Sequence, residues 1–97
     1  MMILHVLNAS PSSSAFRDCL NAIQTGDALV LMGDGVYAAV EGTTACEAML
    51  ATSARIHVLR TDATATGVVL PASEIGLIDM DDFVTLTERF QRQMSWY

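Results

Sequence analysis

The chain contains no lysine, and its strong cations are five arginines (Arg17, Arg55, Arg60, Arg89, Arg92) scattered through 97 residues. That absence removes several chemistries. No lysine can hold a phosphate in a P-loop, form a Schiff base or serve as a general base. Aspartate and glutamate outnumber arginine and leave a formal charge of −6. Direct nucleic-acid binding needs a basic stripe, and the sequence has none. Long apolar runs are missing too. No segment approaches membrane-spanning length, and Met1-Met2-Ile3-Leu4-His5 lacks the basic end and long apolar stretch of a signal peptide. A cytoplasmic chain with no membrane partner is expected. Cys19 and Cys46 form neither a disulfide framework nor zinc-ligand spacing, and a reducing compartment would keep both as thiols.

What is present is apolar. Hydrophobic residues make up 52% of the chain, which is generous for a small body. The length fits one domain, 1–97, with one core. A small sheet cannot hide so much apolar surface by itself, so a subunit interface is expected. Residues 3–7 read as a short strand interrupted by His5, followed by a polar loop around Pro11 in which a serine can cap a helix. That helix, about Ala15 to Gln24, carries Phe16, Cys19, Leu20 and Ile23 on one stripe. Residues 28–32 are a second strand and 55–59 a third. Between them lie a short helix or turn after Gly35 and a helix from Thr43 to Thr52.

Asp62 to Thr66 reads as a short helix closed by Gly67, and Val68–Pro71 as loop or minor strand. Ile75–Asp79 is a further strand, and Asp81 or Asp82 starts a last helix running to about Gln91. Strands alternating with helices at this pitch predict a three-layer α/β/α domain. Its sheet is mainly parallel, of four to five strands, and Rossmann- or flavodoxin-like in outline. The echo between Leu4-His5-Val6-Leu7 and Ile56-His57-Val58-Leu59 is no repeat; two buried strands of one sheet ask for the same residues.

The sharpest local signal is Gly26-Asp27-Ala28-Leu29-Val30-Leu31-Met32-Gly33-Asp34-Gly35-Val36-Tyr37-Ala38-Ala39. A buried strand runs into a Gly-Asp-Gly turn, where Asp34 or a neighbour can accept from the first amides of a following helix. Gly33 to Ala38 also fits a Gly-x-Gly-x-x-Ala dinucleotide pattern. The turn follows the second strand and puts a carboxylate where pyrophosphate would lie, so capping is the better account. Cys19 shares the apolar stripe of its helix, away from the positive end and beside Asp18, an environment for a structural thiol. Cys46 reads the same way. His5 and His57 lack a third metal ligand, and a buried histidine satisfied by a neighbour explains them better. Asp79, Asp81 and Asp82 follow the fourth clear strand in the manner of a Mg²⁺ site, but helix capping accounts for Asp81 and Asp82 without a metal. Aromatic residues at Trp96 and Tyr97 need a surface to lie on, either this chain's sheet or another subunit.

Three motifs in order, Leu4-His5-Val6-Leu7-Asn8-Ala9-Ser10-Pro11, the Gly-Asp-Gly segment and Ser95-Trp96, resemble the TusB/DsrH family over nearly the whole chain. Those proteins are small DsrEFH-like subunits of bacterial sulfur-relay complexes. The resemblance implies partnership with TusC/DsrF-like and TusD/DsrE-like sister subunits, and indirectly with sulfur-carrier proteins. No cofactor or metal is implied. In the TusB case, persulfide sulfur passes towards 2-thiouridine at the tRNA wobble position; in the DsrH case, the same architecture serves dissimilatory sulfur oxidation. DsrH-kind members carry a cysteine in the first helix where Cys19 falls, which implies a secondary persulfide-accepting role. The main sulfur-carrying cysteine belongs to the TusD/DsrE-type subunit, so this chain is expected to be accessory. The family's Gly-Asp-Gly segment helps form subunit contacts, which makes Val36 and Tyr37 interface candidates alongside Trp96 and Tyr97. A small-ligand or nucleotide-binding module using the Gly-Asp-Gly turn remains the alternative from another class.

Overall fold

Five strands carry the fold: β1 (Ile3–Leu7), β2 (Ala28–Leu31), β3 (Arg55–Leu59), β4 (Gly76–Ile78) and β5 (Arg92–Trp96). The computed structural model describes residues 2–68 and 72–97. All strand pairs are parallel, in the order β4-β3-β2-β1-β5. The helices are α1 (Ser14–Ala22), α2 (Thr44–Leu50), α3 (Arg60–Thr66) and α4 (Met80–Arg89), with a 3-10 helix over Gly33–Ala39. This is the expected three-layer α/β/α arrangement. Residues 69–71 of the stretch read as loop or minor strand lie outside the described residues.

The order of the strands decides which helices go where. The connections from β1 through β4 step in one direction across the sheet, and right-handed crossovers place their helices on one face. There Phe16 and Cys19 of α1, Val36 of the 3-10 helix, Met49 of α2 and Ala63 of α3 pack on Leu7, Leu29, Leu31, Ile56 and Val58. The connection from β4 to β5 runs back over the whole sheet, so α4 lies alone on the other face. Phe83, Leu86 and Phe90 cover Leu4, Val6, Ala28, Val30, Leu59 and Ile78 there. No residue of α4 is fully buried. One face is thickly covered and the other thinly.

Local signals fix the helix ends. Ser13 Oγ accepts from the Phe16 amide at 3.3 Å and Thr43 Oγ1 from the Cys46 amide at 3.2 Å. Gly67 closes α3 with φ +86°. The last helix departs from expectation. Its cap is Asp79, whose Oδ1 accepts from the Asp82 amide at 2.8 Å, while Asp82 Oδ2 accepts from the Asp79 amide at 3.1 Å. That reciprocal box starts the helix earlier than Asp81 or Asp82 would.

The 3-10 helix also corrects the capping assigned to Asp34. Met32 is the capping residue and offers no side-chain bond. The Gly33 amide donates instead to Asp62 Oδ2 at 2.8 Å, across from α3. Gly35 has a separate reason to be glycine, because a Cβ there would clash with the Leu7 carbonyl oxygen. The turn is pressed against the end of β1.

β5 is where sequence pattern and structure differ most. Arg92-Gln93-Met94-Ser95-Trp96 has no alternation of buried residues, yet it pairs along all of β1, from Ile3 with Arg92 to Leu7 with Trp96. An edge strand exposes most of its side chains, so its pairing leaves little mark on composition. Of the two surfaces considered for Trp96, it occupies this chain's own sheet.

Candidate functional site

A buried polar cluster ties β5 into the core. His5 is fully buried in β1, and its Nε2 lies 2.9 Å from Asp27 Oδ2. The Trp96 indole Nε1–H donates to His5 Nδ1 at 3.2 Å, and the two rings stack with centroids 6.2 Å apart. An indole nitrogen can only donate. Nδ1 is therefore the acceptor, and the ring is the neutral Nε2–H tautomer donating to Asp27. Asp27 also accepts from the Ile3 amide through Oδ1 and from the Gln24 amide through Oδ2, each at 2.9 Å. Burial alone would raise its pKa, but those amides and His5 together hold it below the usual carboxylate range. The partners of this carboxylate all belong to the fold itself, so the cluster ties β1, β5 and the segment before β2 together.

The sequence predicts a satisfying neighbour for His5 and a surface for Trp96, but it singles out neither Asp27 as that neighbour nor His5 as the partner of Trp96. An aspartate directly before a buried strand was the available signal. His5 and His57 do not share a site: β2 separates their strands, and their side chains leave opposite faces. Among the described residues, no group of three or more His, Cys, Asp or Glu is placed to hold a metal ion.

Cys19 is 0% exposed within the helix-rich face, and burial pushes its thiol up to about 12. A thiol at that value is essentially protonated at neutral pH, and the thiolate is the nucleophile. Cys46 is buried as well, its pKa raised by burial and then by Glu74, Glu41 and Glu47. The Gly-Asp-Gly turn has little to offer an anion. The Gly33 amide is held by Asp62, and the Gly35 amide donates to the Met32 carbonyl at 2.9 Å.

The interface candidates divide by exposure. Val36 is buried in the chain's own core, and Trp96 is half-buried against His5. Tyr37 remains 45% exposed with Val40 close by in sequence, and Tyr97 is 83% exposed beyond the edge strand. Tyr37, Val40, Met94 and Tyr97 are therefore the apolar groups these segments present outwards. No helix among the described residues is long and apolar enough to cross a membrane.

Comparison with known proteins agrees with this anatomy. The profile of the family described as "DsrH like protein" matches residues 9–93. Protein TusB of Pectobacterium parmentieri is 38% identical over 95 residues, covering 97% of this chain and all of that one. Protein TusB of Escherichia coli K12 shows the same identity and coverage, and Protein TusB of Sodalis glossinidius is 37% identical over the same span. A crystal structure of the ychN protein from E. coli superposes with a TM-score of 0.77 over 99% of both chains at 16% identity, which shows the shared fold. Profile and relatives extend over nearly the full length, so the chain belongs to the DsrH-like family.

Proposed function

We propose that this chain is the accessory subunit of a hetero-oligomeric sulfur-relay complex, shaping the assembly while a sister subunit carries the persulfide. One observation carries the division of labour: Cys19, the thiol best matched to a family role, is sealed in the core with its pKa raised to about 12. A persulfide carrier must present its sulfur to an attacking thiolate, and a sealed thiol neither attacks nor is attacked. The exposed Tyr37, Val40, Met94 and Tyr97 supply apolar contact area for TusC/DsrF-like and TusD/DsrE-like partners. The relatives share the name TusB, which favours the branch whose implied product is tRNA 2-thiouridine. The net charge of −6 fits a subunit that works among proteins and leaves tRNA to another component.

The test is to co-express the chain with both sister subunits, load the complex from a cysteine desulfurase and its carrier, and map persulfides by mass spectrometry. Sulfur is expected on a sister subunit's cysteine and not on Cys19. Sulfur on Cys19 would overturn the accessory role and favour the DsrH branch, in which this thiol accepts persulfide. Purification of the chain as a stable monomer that ignores both sisters would overturn the assembly itself. Native-state alkylation adds a kinetic check, with Cys19 reacting only at the rate at which the fold opens.

A further inference from the structure

The thin face of the sheet holds a feature that the relay reading does not use. Between α4 and the starts of β2 and β3 lies a cavity of about 230 Å³, walled on its apolar side by Leu86 and Phe90. Arg55 from β3 and Arg89 from α4 both border it, and His57 of β3 belongs to the same lining. A second hollow of about 310 Å³ shares His57, Leu86 and Arg89, so the two form one groove under α4.

Three facts set this groove apart. The chain has only five cationic side chains in an acidic sequence, and two of them line one small cavity. Two guanidinium groups that border one cavity, neither directly paired with a carboxylate, favour an anion there. Among the described residues, no arginine has a carboxylate oxygen within 4 Å, so neither of these two has a carboxylate partner. His57 is the second fact. Its Nε2 is shielded from water with no hydrogen-bond partner, the one such buried side-chain atom among the described residues. An orphaned buried polar atom is costly and asks for an explanation. Gly76, opposite His57 in the register, leaves the ring its space; a Cβ there would lie 3.4 Å from Nδ1.

Third, the two acidic residues that border these hollows, Asp27 and Asp82, are already hydrogen-bonded, and Glu74, which shares a separate hollow with Arg55, has no oxygen within 4 Å of it. Asp27 borders the cavity, but its oxygens are held by two backbone amides and His5. Asp82 borders the second hollow and is tied into the α4 capping box. Burial, then the Arg55 charge, lowers the His57 pKa against a smaller upward pull from Asp82. Filling the groove with a negative charge would reverse the effect of Arg55.

We propose that this groove binds a small oxyanion on a short apolar body, a carboxylate or a phosphate ester, with Arg55 and Arg89 holding the charge beside His57. Guanidinium forks match the paired oxygens of either group, and Leu86 and Phe90 offer the apolar body a dry wall. The site stands independently of the sulfur-relay reading, and its failure would leave that reading untouched.

The experiment titrates butyrate, butyl phosphate and uncharged butanol into the full chain, alone and in its co-purified complex, at ionic strength fixed with chloride. Binding is followed by calorimetry and by the ring resonances of His57. Saturable binding of at least one of the two anions is expected, with the His57 titration midpoint moving upward. Affinity should fall roughly tenfold or more in R55A and in R89A, and hold in R17A, whose arginine lies on the other face. Saturation by butyrate alone assigns the carboxylate class, and saturation by butyl phosphate alone the phosphate class. A response equalled by chloride, surviving in the R55A/R89A pair, or matched by butanol would overturn the site.

Discussion

Strands β1 and β3 carry nearly the same four residues, Leu4–Leu7 and Ile56–Leu59, and their histidines meet opposite fates. The register explains the divergence. Leu29 of β2 lies opposite His5 on one side and Ile56 on the other, so the two tetrapeptides are offset by one residue. An offset of one turns every side chain to the other face. His5 enters the thickly covered layer and is bonded at both ring nitrogens. His57 enters the layer covered by α4 alone, where its Nε2 has no partner. Local sequence determines that a histidine lies in a buried strand, and the topology determines what it meets there.

Removing the carboxylate from the first environment is the hardest blow to this contrast. Asp27→Ala would leave the His5 ring and the Ile3 and Gln24 amides without their acceptor, at an expected cost of about 3–5 kcal/mol in urea unfolding. A loss below about 1 kcal/mol would mean the cluster is not what holds His5. Trp96→Phe is gentler. It keeps an aromatic ring over His5 but removes the donor to Nδ1, and about 1–2 kcal/mol should go in the same assay. A comparable loss in a Trp96→Ala chain and no loss in Trp96→Phe would assign the effect to packing alone.

The pH profile should separate the two faces. Asp27 has a depressed folded pKa, so its contribution is present above the ordinary carboxylate value near 3.9 and lost as pH falls through the folded value. His57 is also depressed, but as a base. Its neutral form is favoured in the fold, so stability is complete above the ordinary value near 6.5 and declines as pH falls towards the folded value. Two descents are expected on acidification, the His57 step first. His57→Phe should remove that first step and leave the second, while changing stability at pH 8 by no more than about 1 kcal/mol in either direction. Persistence of the upper step in that variant would place its origin elsewhere.

Much of this architecture could be read before the structure. Apolar runs of strand length separated by amphipathic stretches gave the parallel sheet, and Ser13, Thr43 and Gly67 are short-range signals that act within a few residues. The hidden parts are long-range. Asp62 caps a helix that begins 29 residues earlier, and nothing near Gly33 announces it. Asp79 does not stand out as the cap because three aspartates in four positions offer the same local chemistry, and only the reciprocal bond with Asp82 tells them apart. The buried cluster draws on residues 5, 27 and 96, which no window of sequence brings together. Val36 and Tyr37 are neighbours with opposite exposure, and the tight turn of the 3-10 helix makes that choice.

The pairing of β5 with β1 has a consequence for how the molecule reaches its fold. The bond from Trp96 to His5 closes a span of 91 residues, far longer than the neighbouring β1–β2 step. Loop closure over such a distance is costly before its contacts form, and topologies rich in distant pairings fold slowly. β5 should therefore dock late, after the other four strands have built the surface it joins. Trp96 is the single tryptophan of the chain. Its fluorescence thus provides a built-in optical clock for the final assembly step, distinguishable in stopped-flow refolding from the far-ultraviolet signal of the earlier helices.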